Sequence, residues 1–281
     1  MVQFNHSAAI NLPRFRRVQL LQRRQVSVNL WRLTFGGPAL AEMPYYWPAC
    51  HIKLLLPKPG QRQPELPVFT ATGPEWPDGA VKPEIRTFSV RAHRPALAEL
   101  DIDVAVHGDR GPASRFAMHA QPGAHCALSL PAGPNPMLPA RLPFLLAGDM
   151  TALPAICAML EHLPTDAQGQ VFALVSSAAD MPQLAVPAGV ACHWLIGDCR
   201  QTALLIDAVI SHCQTRLPPA DSYVFLAGEE QIVLQLRRFL RKQLPLSRQQ
   251  LYALPYWRAG VDETGFAVLR AQQAATADAA D

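Results

Sequence analysis

The sequence predicts two domains of different class: an N-terminal antiparallel β domain, then a C-terminal α/β domain built on a parallel sheet. Three observations carry this. Residues 85–91 (IRTFSVR) and 100–108 (LDIDVAVHG) read as short strands, the second with strong alternation of apolar and polar side chains. From residue 143 the pattern becomes apolar run, glycine turn, helical spacing, and residues 143–163 and 222–244 are two copies of it. Between the two regimes, residues 130–143 hold five prolines in 14 positions and read as a linker. The division expected from this is 1–140 and 141–281.

Composition supports a globular chain. The 281 residues are 49% apolar and 17% charged, which excludes a disordered polymer. Proline, 27 of 281 residues, is about twice the usual ~5% and favours short elements joined by stiff turns. A net charge of +3 does not call for nucleic acid. No apolar run approaches the ~18 residues of a membrane span, so no stable insertion in a bilayer is expected. The first twelve residues have no charged segment leading into an apolar one, as a secretory signal would. Cys50, Cys126, Cys157, Cys192, Cys199 and Cys213 form no C-x-x-C pair, so neither a zinc site nor an iron–sulfur cluster is expected. Scattered thiols without a signal suit a cytoplasmic protein.

Along the chain, residues 14–35 are Arg-rich and extended, and residues 50–56 (CHIKLLL) are a short apolar run ended by Pro57. Residues 57–78 are rich in Pro and Gly and read as a loop. Such strands build a barrel or a sandwich. Residues 171–177 (VFALVSS) and 192–198 (CHWLIGD) are further strands of the parallel sheet.

There is no G-x-G-x-x-G, P-loop, H-E-x-x-H or G-x-S-x-G motif. Three local patterns nevertheless suit a large anionic ligand. Arg86, Thr87, Phe88 and Ser89 share a strand, and period two puts Arg86 and Phe88 on one face, a cation beside a ring. His107, Gly108, Gly111, Ala113 and Ser114 make a tight turn into a helix whose free N–H groups can hold a pyrophosphate. Gly148 turns the chain after an apolar strand, and Thr151 follows at the start of a helix, where N–H groups and a hydroxyl can meet an anion. Each pattern taken alone also reads as an ordinary strand, turn or cap. His51, His107 and His125 have no ligand spacing and read as structural.

Taken together and in order, RTFSVR, HGDRGPASRFA, LLAGDMTALPAICAMLEHLP, FLAGEEQIVLQLRRFLRKQ and YWRAG closely resemble the siderophore-interacting proteins, over residues 14–265. The resemblance implies a FAD-binding β-barrel followed by a nicotinamide-binding α/β domain. It implies FAD as cofactor, NADPH or NADH as donor, ferredoxin as another donor within the family, and a ferric siderophore as substrate. Arg86, Thr87, Phe88 and Ser89 match the family's flavin strand, with Arg86 near phosphate. His107, Gly108, Gly111, Ala113 and Ser114 match its pyrophosphate loop. Gly148, Asp149, Thr151 and Ala152 match the first turn of the nicotinamide domain, Thr151 and Ala152 on its cofactor side, and Gly228 and Glu229 match a later turn. Tyr256, Trp257, Arg258 and Gly260 match a C-terminal signature close to the flavin. Lys53 and Arg258 are the cations implied for an anionic iron chelate.

The chain departs from the family at Phe88, where a tyrosine is usual, at residues 131–136, where a cation is missing, and at 196–198, with Arg200 as the available substitute. Ser176 and Ser177 end the second strand where an acid would hold the ribose diol of NADH; serines do not repel a 2′-phosphate, which leans the donor to NADPH. Two other readings fit the same residues: a flavoprotein reductase with a different acceptor, and a flavin-free siderophore-binding protein.

Overall fold

The computed structural model describes residues 14–41, 46–70, 73–106, 111–261 and 265–266. Six strands close a barrel in the order β1 (Phe15–Ser27), β2 (Leu30–Gly36), β7 (Glu99–Ala105), β6 (Glu84–Arg94), β3 (His51–Leu56) and β8 (His125–Ser129). All its pairings are antiparallel, and β8 returns to β1 with Phe15 opposite Ser129. This settles the choice between barrel and sandwich. The interior takes alternate residues: Leu33 and Phe35 of β2, Ile52 and Leu54 of β3, Leu100, Ile102 and Val104 of β7, all buried in one cluster. Asp101 and Asp103, on the other face of β7, are buried too, because each meets an arginine. Asp101 takes the Arg94 fork at 2.7 Å on both oxygens, and Asp103 takes Arg32 at 2.7 and 2.8 Å.

The segment read as a loop carries a short hairpin, β4 (Val68–Thr70) with β5 (Gly73–Glu75). Phe69 draws it onto the start of β1, with Phe15 at 5.6 Å between ring centroids and the Arg14 guanidinium 4.9 Å over the ring. A four-residue helix, α1 (Pro38–Ala41), and the eight-residue α2 (Pro112–His119) complete the barrel domain.

The second unit is an all-parallel sheet ordered β11 (Gly189–Ile196), β10 (Gln168–Val175), β9 (Phe144–Asp149), β12 (Tyr223–Glu229), β13 (Leu251–Trp257). The two repeated strands are buried on both faces. Phe144, Leu146, Tyr223, Phe225 and Ala227 face α3 (Leu153–Leu160), whereas Leu145, Ala147, Val224 and Leu226 face α4 (Thr202–Thr215) and α5 (Glu230–Gln243). All eight residues of α3 are buried, since it packs between the sheet and β6 of the barrel.

The domains are joined by apolar and polar contacts. Leu30 and Val26 of the barrel pack with Met150, Leu153, Cys157 and Val175. Asp180, buried after β10, accepts Ser27 Oγ at 2.7 Å, the Asn29 backbone N–H at 2.9 Å, Asn29 Nδ2 at 2.8 Å and Ser177 Oγ at 3.0 Å. Arg91 of β6, 8% exposed, forks onto the Glu161 carboxylate at the end of α3.

Candidate functional site

A cleft of about 600 Å³ lies between the barrel and the carboxyl ends of the parallel strands, where ligands of open parallel sheets sit. On the barrel side it is lined by Arg86, Thr87, Phe88 and Ser89 of β6, by His51 of β3, by Asp103 of β7 and by Gly111, Ala113 and Ser114 at the start of α2. On the other side stand Thr151, Pro154, Cys199, Arg200, Tyr252, Tyr256, Trp257, Arg258 and Gly260. Both sequence-predicted halves therefore converge on one space.

α2 opens without a side-chain cap: Gly111 (φ 92°) is its N-cap and Pro112 its first residue. Ser114 lies inside the first turn and not at the cap position. The N–H groups of Ala113 and Ser114 thus stay available at the positive end of the helix dipole. His107 and Gly108 fall outside the described residues.

The first turn of the parallel sheet is organised by Asp149, 2% exposed. Its Oδ1 accepts the Thr151 N–H at 2.8 Å and the Thr151 hydroxyl at 2.6 Å. Its Oδ2 accepts the Glu229 N–H at 2.7 Å and the Trp257 indole N–H at 2.8 Å. The Thr151 donors that the sequence offers to an anion are therefore already bound within the protein. Gly228 (φ 119°) must be glycine, since a Cβ there would stand 2.7 Å from the Asp149 carboxylate. Glu229 caps α5, accepting the Gln231 N–H at 2.5 Å and the Ala259 N–H at 3.2 Å. Arg258 pairs with Glu230 at 3.2 Å. Gly148, Asp149, Ala152, Gly228 and Glu229 thus frame the cleft without lining it; Ala152 is buried against Gly148. Ser176 also lies off the lining. Lys53 is exposed on the outer face of β3, opposite Thr87, one step beyond the cleft.

Sequence reasoning missed Asp103 and Tyr252 in the lining and read His51 as structural. No spacing signal marks them, because their placement follows from strand register, across the barrel for Asp103 and His51 and across the parallel sheet for Tyr252. Burial pushes the pKa of the Tyr256 hydroxyl up, with the Ser89 hydroxyl within its reach. Burial and then the Asp198 carboxylate push the Cys199 thiol up, so it stays protonated. Among the described residues no group of three or more His, Cys, Asp or Glu is placed to hold a metal ion. Among the same residues no helix is long and apolar enough to cross a membrane.

The lining fits FAD. A flat aromatic wall (Phe88, Tyr252, Tyr256, Trp257), an uncapped helix N-terminus and an arginine on the flavin-type strand are the donor set for a ring system joined to a pyrophosphate.

These features define a two-domain flavoprotein of the kind that pairs a cofactor barrel with a nucleotide sheet. The chain belongs to the siderophore-interacting protein family. The family model described as "Siderophore-interacting FAD-binding domain" matches residues 19–135, and that described as "Siderophore-interacting protein" matches residues 143–260. The chain is 32% identical to the ferric vibriobactin reductase ViuB of Vibrio cholerae, over 89% of this chain and 92% of that one. It is 32% identical to the NADPH-dependent ferric-chelate reductase of Escherichia coli, over 88% and 94%. The siderophore-interacting protein SipS from Aeromonas hydrophila superposes with a TM-score of 0.81 at 40% identity, covering 92% of this chain and 97% of that one.

Proposed function

We propose that this protein is a FAD-dependent reductase of ferric siderophores that draws electrons from NADPH in the cytoplasm. The observation that carries the reading is the single cleft in which the flavin-type strand, the uncapped α2 and the carboxyl ends of the parallel sheet meet. The relatives named for ferric vibriobactin and for NADPH-dependent ferric-chelate reduction support the same reaction.

FAD, when bound, accepts a hydride and releases its electrons singly, as iron(III) requires. Over the whole cycle NADPH and two iron(III) give NADP⁺, two iron(II) and one proton. The chain supplies binding and orientation. Arg86 and the first N–H groups of α2 hold the phosphates, with Gly111, Ala113 and Ser114 shaping that cradle. Thr87, Phe88, Ser89 and Trp257 hold the ring system. Trp257 keeps a fixed orientation because Asp149 takes its N–H. The barrel, residues 1–140, carries the cofactor, and residues 141–281 carry the nucleotide.

For the donor, two observations support NADPH. Asp180, the first acid after β10, is consumed by Ser27, Asn29 and Ser177 and is not offered to a ribose diol. Arg200, exposed at the end of β11 on the cleft wall, has no acid on its guanidinium among the described residues and suits a 2′-phosphate. Arg258 and Lys53 attract an anionic iron chelate at the open side. Iron(II), with lower charge density, is held less tightly by hard oxygen donors and leaves. The test is formation of iron(II), trapped by a ferrous-specific chelator, from a ferric siderophore and NADPH. The expected rate depends on bound FAD and is absent when FAD is removed; an unchanged rate without FAD would overturn the reading.

A further inference from the structure

We infer that Arg32, Asp103, Arg91 and Glu161 form a charge-balanced set beside the cleft that sets the reduction potential of the flavin held there. This rests on the reductase reading. A hydride from NADPH brings one negative charge to the ring system, so fixed charge near the cleft decides how far reduction goes. Asp103 is the only acid among the described residues that line the cleft, and neither cofactor binding nor hydride transfer gives it a task.

The placement is specific. Arg32 and Asp103 are direct partners in the β2–β7 ladder, and the Arg32 fork takes both Asp103 oxygens, at 2.7 and 2.8 Å. Arg91 of β6 brings its Nε to 3.6 Å from the same carboxylate, and its two other nitrogens fork onto Glu161. Glu161 stands at the end of α3, so the row starts on the cleft wall and ends in the second domain. Two cations and two anions make the set neutral. The side chains of Arg32, Asp103 and Arg91 are 18%, 3% and 9% exposed; of the four, Glu161 alone has substantial contact with water, at 38%.

Two neighbouring groups leave that balance intact. Asp101, the other buried acid of β7, has its own arginine, Arg94. Burial pushes the Cys157 thiol up, so it stays neutral beside Arg91. Buried charge is poorly screened, so removing one charge from the set is felt across the cleft wall. Loss of the Glu161 charge leaves one net positive charge, which favours the reduced ring system. Loss of the Arg91 charge leaves one net negative charge, which opposes it. All four are positioning residues, acting through their field and not by contact with the reacting atoms.

The test uses the FAD-loaded protein at neutral pH, with the midpoint potential of its flavin measured against a reference dye, without NADPH or iron. Glu161→Gln keeps an acceptor for Arg91 and removes the charge. At a fixed potential its ratio of reduced to oxidised flavin should rise about tenfold, a shift of about 30 mV for a two-electron couple. Arg91→Gln should move the potential about as far the other way. Both shifts should persist at high salt. Asp166→Asn, which removes an exposed acid from the loop after α3, should leave the potential unchanged. Loosened packing alone gives no pair of shifts with opposite sign. Variants with the wild-type potential, or both moved in one direction, would overturn the inference while leaving the reductase reading intact; wild type that takes up no FAD would overturn both. Should one variant not fold, the sign of the shift in the other decides.

Discussion

The indole N–H of Trp257 lies 2.8 Å from Oδ2 of Asp149, so the last strand of the sheet is tied to the turn after its central strand. The same carboxylate holds Thr151 and the backbone of Glu229, which makes Asp149 the joint of three segments around the cleft. Asp149→Ala leaves these buried donors unmatched. It should destabilise the fold by about 3 kcal/mol or more, as read by urea unfolding. FAD affinity should fall with it, because Trp257 loses its orientation. Wild-type stability and flavin affinity together would refute this role.

Arg91 and Glu161 couple the domains. Glu161→Ala leaves the buried Arg91 guanidinium with only Asp103, at 3.6 Å. Glu161 is itself partly exposed, which discounts the effect, and a loss of about 2 kcal/mol is expected. Unfolding of the two domains should become less cooperative, which calorimetry would report.

Acid should unfold the protein in two stages. Burial, then the neighbouring His193 and Arg216 charges, lower the His212 pKa below 6.5; burial, then Arg94, do the same for His93. A lowered histidine contributes stability above pH 6.5, and that stability is lost as pH falls from there through the folded-state value. The carboxylates act lower. Despite desolvation, hydrogen bonds from Ser27, Asn29 and Ser177 keep Asp180 below 3.8, and Arg94 and Thr34 keep Asp101 below it. Their contribution is present above pH 3.8 and lost as pH falls further. His212→Gln should weaken the first stage alone in a series of melting temperatures against pH.

Arg200→Ala tests the donor. Flavin reduction by NADPH should slow, with KM raised about tenfold, while reduction by NADH changes little. Equal effects on both nucleotides would place Arg200 elsewhere in the chemistry.

The two-domain division, the flavin-type strand and the two glycine turns are legible in the sequence because strand alternation and strand–turn–helix periodicity are local signals. Barrel closure is not, since β8 meets β1 across more than a hundred residues and neither strand carries a mark of the other. The hairpin at 68–75 is hidden for a similar reason: Phe69 packs on Phe15, more than fifty residues away in the chain. At the site, Phe88 and Ser89 can be named from pattern, whereas His51 enters only through its register with Ser89. The roles of Asp149 and Thr151 are likewise invisible, because a turn that bonds itself and a turn that binds an anion use the same residues.

The most direct measurement is an anaerobic visible spectrum of the purified protein, first alone, then with NADPH, then with a ferric siderophore. The account predicts bound flavin bands that bleach with NADPH and return as the siderophore is added. A protein that contains no flavin and takes up none, or one whose reduced flavin is unchanged by the ferric chelate, would contradict it.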